Sequence, residues 1–449
     1  MPRSLPVLIA AMGLFSSRAP AETVDTWVRE ALSSNLALKA NDLRVEAGLR
    51  AVAEARATLR PKVSVVASYM RADGGRAVEV PLGDMLRPLY DTLNQLTAAS
   101  GTSLRPIDNL SFSLTEKREQ NTMLQLDAPV YDPALTAAVR GNKADFDALS
   151  ADREVLARTL VRDVRQACYD VLRTQADLRN AISAQESYQE NLRATRILNE
   201  QGQATLEPVL RAQTEFLAAE QSITERRDSV RQAQRYLNFL VNRALDSPAL
   251  VELDAKGLET ELREAQPRAE LRRADAQVRA AGARVSAARA EGRPTLNLKG
   301  NYGVTGEDYS FSRDDDAATI GLYLSWNVFD FGAQRARLSQ ARLTQRRLEI
   351  ERTQLEVQVA LEVRQAADAV QVSASALHSA EARRSTAAEA LRIAEGRREV
   401  GSLTQLQFFD ARRALSDAET AETVSRYRHL ANLAALEFVL AAYALPPLR

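Results

Sequence analysis

The sequence predicts a mixed α and β membrane protein with an internal duplication, in which pairs of membrane-crossing strands alternate with long helical hairpins. Three observations predict it: a motif set that occurs twice in the same order, segments of period two with one apolar face, and very long stretches without proline. Fixed-order self-similarity is the signature of repeated architecture, so it is the first thing to establish.

The two copies are related at nearly constant offset. Arg60, Pro61 and Tyr69 recur as Arg293, Pro294 and Tyr302. The preceding Val45, Ala47, Val52, Ala55 and Arg56 recur as Val278, Ala280, Val285, Ala288 and Arg289. Downstream, Leu126, Val130 and Asp132 return as Leu324, Val328 and Asp330, and Val164 to Ala167 as Val363 to Ala366. Gly202, Thr205, Ala212, Ala219 and Glu220 return as Gly401, Thr404, Ala411, Ala418 and Glu419. Tandem duplication explains the set. It divides the chain into a segment 1–21, a first repeat 22–241, a linker 242–267, a second repeat 268–442 and a tail 443–449.

Each repeat reads helix, strand, loop, strand, long helix, turn, long helix. Pro61 and Pro294 end the first helices and start extended chain, because proline disfavours helix both at and before its own position. After Pro294, Leu296, Leu298, Gly300 and Tyr302 form one face, and Asn297, Lys299 and Asn301 the other. In the return strand, Ile320, Leu322, Leu324, Trp326 and Val328 oppose Thr319, Tyr323, Ser325 and Asn327. Period two with one apolar face is the mark of a strand. The first repeat is noisier: Val63, Val65 and Tyr69, then Leu124, Leu126 and Val130. Strands of about ten residues can cross an outer membrane when tilted. The competing reading is a soluble sandwich with one wet face, but four isolated strands could not bury their apolar faces alone.

Helix breakers are absent over long stretches: there is no proline from Ala134 to Glu207 or from Thr295 to Leu445, and no glycine between Gly141 and Gly202. A helix of some 60 residues would be roughly 90 Å long. Leu156, Leu160, Val164, Cys168, Val171 and Leu172 make its narrow apolar stripe. Hairpins turn back after Gly202 and Gly401, where glycine suits the positive φ that ends a helix. The long loop from Arg71 to Gln120 holds a short helix within Asp84 to Leu96, and its counterpart, Gly306 to Asp316, is shorter and acidic. Both are expected to face the cell exterior.

Composition narrows the function. Ala, Arg, Leu, Glu and Gln dominate and aromatics are only 5%, a bias toward long helices. The 59 basic and 59 acidic residues cancel, so nothing draws the chain to nucleic acid. Arg346-Arg347 and Arg397-Arg398 sit among acids and read as solvated helix faces. The single Cys168 is read as a small core residue, and the only histidines, His378 and His429, are far apart. No metal site, cofactor site or Cys-His nucleophile is expected. Gly74-Gly75 lacks the strand-loop-helix context of a phosphate loop. Arg3, the apolar Leu5 to Phe15 and Ala19-Pro20-Ala21 form a secretory signal expected to be cleaved before Glu22. Removing Arg3 and Arg18 leaves 57 basic against 59 acidic residues, a charge near −2. No cysteine follows the signal to carry a lipid, and the best later apolar stretch, Leu433 to Leu445, is short and contains Glu437.

These residues resemble the TolC-like outer membrane efflux protein family (outer membrane factors). The resemblance runs from about Thr26 to Tyr443 and rests on the duplicated helix-Pro-strand and strand-Val-aromatic-Asp segments, together with the tips Gly202–Gln213 and Gly401–Arg412. It implies a homotrimer in which each protomer gives four strands to one 12-stranded outer-membrane β-barrel, continued by a periplasmic α-helical tunnel of coiled-coil hairpins. It implies a passive exit duct of a tripartite efflux or type I secretion system, not an enzyme. The partners would be outer-membrane lipid, a periplasmic adaptor (membrane fusion) protein and an inner-membrane transporter of RND, ABC or MFS type.

The resemblance also places residues. Asp410 and Gln407, spaced i, i+3, match the ring at the narrow periplasmic entrance, and only Asp410 keeps a carboxylate. Gly202, Thr205, Gly401 and Thr404 mark the adaptor-facing hairpin tips. Pro208, Arg211 and Arg398 depart from the family's tip pattern, so a substitute latch between Glu207 and Arg398 is expected from their opposite charges. Phe408 and Phe409 are expected to pack rather than to gate. Tyr69, Tyr302 and Trp326 are candidates for barrel packing or for the aromatic girdle at the membrane interface. The alternative from another class is a periplasmic coiled-coil adaptor or scaffold without a barrel; the paired alternating strands count against it. The cargo is not legible, although scarce Met and His lean against soft metal ions.

Overall fold

The computed structural model describes residues 22–73, 77–113, 118–203, 205–253, 267–306, 316–400 and 402–446. The signal segment 1–21, Gly74-Gly75, most of the linker, the loop 307–315, Gly401 and the last residues of the tail lie outside them. Along the chain the elements are β1 (Glu22–Thr23), α1 (Val24–Ser34), α2 (Leu36–Ala57), β2 (Lys62–Arg71), β3 (Ala77–Val80), α3 (Leu82–Thr97), β4 (Leu110–Ser113), β5 (Arg118–Tyr131), α4 (Pro133–Glu200) and α5 (Leu206–Leu240). They continue as β6 (Val251–Glu252), α6 (Ala269–Ala290), β7 (Thr295–Gly306), β8 (Asp316–Ser325), α7 (Ala333–Glu399) and α8 (Gln405–Val439). Contacts divide them into a helical unit (residues up to Gly48, Ala144–Val278 and Arg347 onward) and a sheet unit (Leu49–Lys143 and Arg279–Arg346).

In the helical unit the apolar stripe of α4 is the core. Leu160, Val164, Cys168 and Val171 are buried with Trp27, Val28 and Ala31 of α1, Leu38 of α2, Leu237 of α5 and Ala434 of α8. Burial pushes the Cys168 thiol far up, so it stays neutral and behaves as a small apolar residue. Asn35 breaks α1 from α2: its Oδ1 accepts from Leu38 N at 3.1 Å, and its Nδ2 donates to the Leu240 carbonyl at the end of α5 at 2.8 Å. Arg243 lies 4.2 Å over the Trp27 ring and pairs with Glu22 at 2.9 Å and Glu30 at 2.5 Å. The C-terminal stretch is held by arginines of α4. Arg158 donates to the carbonyls of Ala441 and Tyr443 at 2.9 and 3.0 Å, and Arg165 pairs with Glu437 and with Asp25. Burial pushes the Glu437 carboxyl up, with Arg165 opposing.

The sheet unit holds four antiparallel strands in the order β2-β5-β7-β8. Pro129 has no N–H to give the ladder, and the β5–β7 register shifts between Pro129 and Tyr131. The loop after β2 carries the short β3–β4 pair and α3. One strand boundary differs from the sequence reading: β8 stops at Ser325, so Trp326 and Val328 lie beyond it. Alternation continues past that point in the sequence, but the chain turns through Phe331 (φ 52°) and Gly332 (φ 92°) instead. Asp330 draws it into α7, accepting from Gly332 N at 3.2 Å and Gln334 N at 2.7 Å. Asp132 does the same for α4, accepting from Ala134 N and Leu135 N at 2.9 and 3.2 Å, with Pro133 at the first helical position. The duplicated Asp is thus a helix cap at each strand-to-helix junction.

Candidate functional site

Register decides which side chains share a face, since a slip of one residue would invert every one of them. In the ladder Val63 lies opposite Leu126, Leu126 opposite Gly300, and Gly300 opposite Ile320. The next row is Val65, Leu124, Tyr302 and Ala318. Leu298 with Leu322 and Leu296 with Leu324 extend the same face. Ser64, Gln125, Asn301 and Thr319 form one row of the other face. One side of the sheet therefore gathers most of the apolar side chains, while the other is mainly polar and also carries Val66, Met123 and Tyr323. The apolar side is open: Ile320 is 77% exposed, and Val65, Leu322 and Leu324 are similarly open. A contiguous exposed apolar face is not stable against water, so it is an interaction surface. At the two ends of the sheet, β2 and β8 each pair on one side only.

The aromatics expected near this surface differ in setting. Tyr69 and Tyr302 project from strands and are exposed. Trp326, also exposed, sits on the chain past β8 with its indole Nε1 donating to the Gly292 carbonyl at 3.1 Å. A second open apolar pattern lies on helices. Leu36 and Leu43 of α2, and Leu343, Ile350 and Val357 of α7, are exposed at seven-residue spacing. That is the period of a coiled-coil seam.

The hairpin tips differ in chemistry. At the first, Gly202 adopts φ +69°, and Gln203 N bonds back to the Leu198 carbonyl at 2.8 Å. Thr205 precedes α5 without a side-chain cap. At the second, Thr404 and Gln407 form a capping box: Gln407 N donates to Thr404 Oγ1 at 3.3 Å, and Thr404 N to Gln407 Oε1 at 3.1 Å. Gln407 therefore serves the helix start. Asp410, one turn on, is exposed.

The expected latch does not form within the chain. Arg398 stacks 4.4 Å over the Phe408 ring and donates to Asn191 Oδ1 at 3.3 Å, whereas Glu207 is 3.8 Å from Arg211. A planar guanidinium gains more from a ring face and an amide than from a distant, exposed carboxylate. The two phenylalanines, expected as packing residues, enter different clusters. Phe408 is buried with Leu391 and Leu415, and Phe409 packs against Leu192, Val209 and Ala212. Phe409 also lies 6.2 Å from the Tyr188 ring. The second hairpin is thus bonded to the first through Phe409, Arg398–Asn191 and Arg412, which donates to the Ser183 carbonyl at 3.1 Å. Opposite charge alone could not have revealed these contacts; the aromatic pair beside a tip arginine was the only hint in the sequence.

Among the described residues no helix is long and apolar enough to cross a membrane, and no group of three or more His, Cys, Asp or Glu could hold a metal ion. Strands with one open apolar face, two unpaired edges and long helical hairpins define the fold of an outer-membrane channel. The comparisons agree. Residues 27–243 and 263–442 match the family model described as outer membrane efflux protein, and the chain belongs to that family. It is 30% identical to the outer membrane protein OprJ of Pseudomonas aeruginosa over 215 residues, 43% of each chain, so the alignment spans less than half of that relative. The fold is similar to that of the CmeC outer membrane channel of Campylobacter jejuni, with a TM-score of 0.77 at 15% identity over 98% of this chain and 93% of that one. It is also similar to the outer membrane protein VceC of Vibrio cholerae, with a TM-score of 0.75 at 18% identity over 93% of this chain and 95% of that one. The protein is accordingly one of the bacterial outer membrane, with its helical hairpins in the periplasm.

Proposed function

We propose that three copies of this chain close into one channel, each contributing β2, β5, β7 and β8 to a single twelve-stranded barrel. The carrying observation is the register, which brings apolar side chains from all four strands onto one exposed face of a sheet with two open edges. An open edge cannot face hydrocarbon, where each unpaired backbone group costs several kcal/mol, so the edges must meet other copies. The seven-residue apolar seams on α2 and α7 supply the same need for the helices.

On this reading the protein performs no chemistry. It is the passive exit duct of a tripartite efflux or type I secretion system. The tips at Gly202, Thr205, Gly401 and Thr404 meet a periplasmic adaptor, which joins the duct to an inner-membrane transporter. Threefold symmetry gathers three Asp410 carboxylates into a ring at the periplasmic entrance, which favours cations. The exposure of Asp410, one turn beyond the tip cap, supports this role.

The detergent-purified protein should have the mass of a trimer and conduct ions in planar bilayers. A water-soluble monomer without detergent would overturn the reading. Asp410→Asn should lower the preference for cations and weaken block by trivalent cations; recordings identical to the parent's would remove the ring.

A further inference from the structure

The polar face of the sheet carries a charged row that barrel closure does not require. Lys62 lies opposite Asp127, Asp127 opposite Lys299, and Lys299 opposite Gly321. If this were only a cross-strand ion ladder, each ammonium would sit against a carboxylate. Among the described residues neither lysine has a carboxylate within ion-pair distance. Lys299 Nζ instead lies 5.5 Å from the centre of the Tyr323 ring. Gly321 makes room for that arrangement: a Cβ there would come within 3.3 Å of Tyr323 Cε2. The missing side chain lets the ring fold along its own strand beside the lysine. Lys299 is thus steered by an aromatic face, with its charge left available.

We infer that Lys62 and Lys299, the latter positioned by Tyr323, form a basic belt on the inside of the barrel that binds anionic groups of the cargo, carboxylates foremost. The inference rests on the trimeric barrel proposed above. Each chain brings two ammonium groups and one carboxylate to the row, so three chains leave an excess of positive charge in that row; Glu119, opposite Met70, is on the same face but four rows away. The neighbouring Ser64, Gln125, Asn301 and Thr319 row is neutral and hydrogen-bonding, and leaves that charge uncompensated. Low-dielectric walls around a water-filled bore focus such a field on a passing anion. The belt has the opposite sign to Asp410, so the two make separable contributions to selectivity.

The test uses the purified channel in planar bilayers, with citrate as the probe anion. Lys62→Gln and Lys299→Gln should each weaken citrate block threefold or more, about threefold being the effect of one charge pair about 6 Å apart in water, and should move the reversal potential toward cations. Lys39→Gln, on α2 in the helical unit, should do neither. Gln keeps the length and polarity of the site, and a labelling experiment stands apart from folding. Lys299→Cys treated with an anionic methanethiosulfonate should lose conductance, whereas Ile320→Cys on the opposite face should not. A conducting channel whose citrate block and reversal potential ignore both lysines overturns the belt and leaves the barrel standing. A parent protein that never conducts overturns the barrel, and the belt with it.

Discussion

Trp27 and Ile320 show how differently the two units treat an apolar side chain. In the helical unit Trp27 is 0% exposed, enclosed by α4 and α5 and roofed by Arg243. In the sheet unit Ile320 is 77% exposed, in a row with Val63 and Leu126. One hydrophobic effect governs both, so the difference lies in the surroundings. The helices make their own interior in water, whereas the sheet leaves its apolar face for an interior supplied from outside. Burial in a single chain is therefore a sound guide to the core of the first unit and no guide to the second, whose strands β2 and β8 are open on both faces.

Substitutions can break that comparison. The largest effect is expected for Trp27→Ala, about 3–5 kcal/mol for a fully buried indole, read as a lower denaturant midpoint of the helical signal. A small change would mean that the α1–α4 core is not the stabilising centre. Next is Ile320→Arg, which should cost about 2–4 kcal/mol of membrane-folded stability if the residue meets lipid near mid-bilayer. Its counterpart Gln125→Arg, on the polar face, should leave assembly into membranes intact. Equal tolerance at both sites would mean that the two faces are not lipid and water.

The smallest effect concerns the tips, which occupy matching places in the duplication. Thr404 has its N3 partner in Gln407, while Thr205 is followed at N3 by Pro208, which has no N–H to donate. Thr404→Ala should therefore cost about 1 kcal/mol and Thr205→Ala only a few tenths. The check is the difference in hydrogen-exchange protection of the first turns of α8 and α5. Equal loss at both tips would sink the capping account.

Much of this architecture is legible in the residues because it is local. Period two marks β7 and β8, proline ends α2 and α6 ahead of their strands, and the absence of breakers produces α4 and α7. The repeated Asp132 and Asp330 announce the long helices because a cap needs only the next two to four residues. Trp326 misled because alternation continues past the strand, and nothing periodic signals where the ladder loses its partner. The proposed latch misled for a related reason. Complementary charge names a possible pair, but Arg398 took a ring and an amide brought near by packing.

By itself the sequence determined the duplication, the element types and the apolar face of each strand, because these depend on side-chain spacing within a few residues. Only the tertiary structure decided that Lys62, Asp127 and Lys299 share a row, that Phe408 and Phe409 enter different clusters, and that Gln407 belongs to a cap. The physical reason is range. Periodicity is written along one segment, whereas register and packing are set by hydrogen bonds and contacts between segments far apart in the chain.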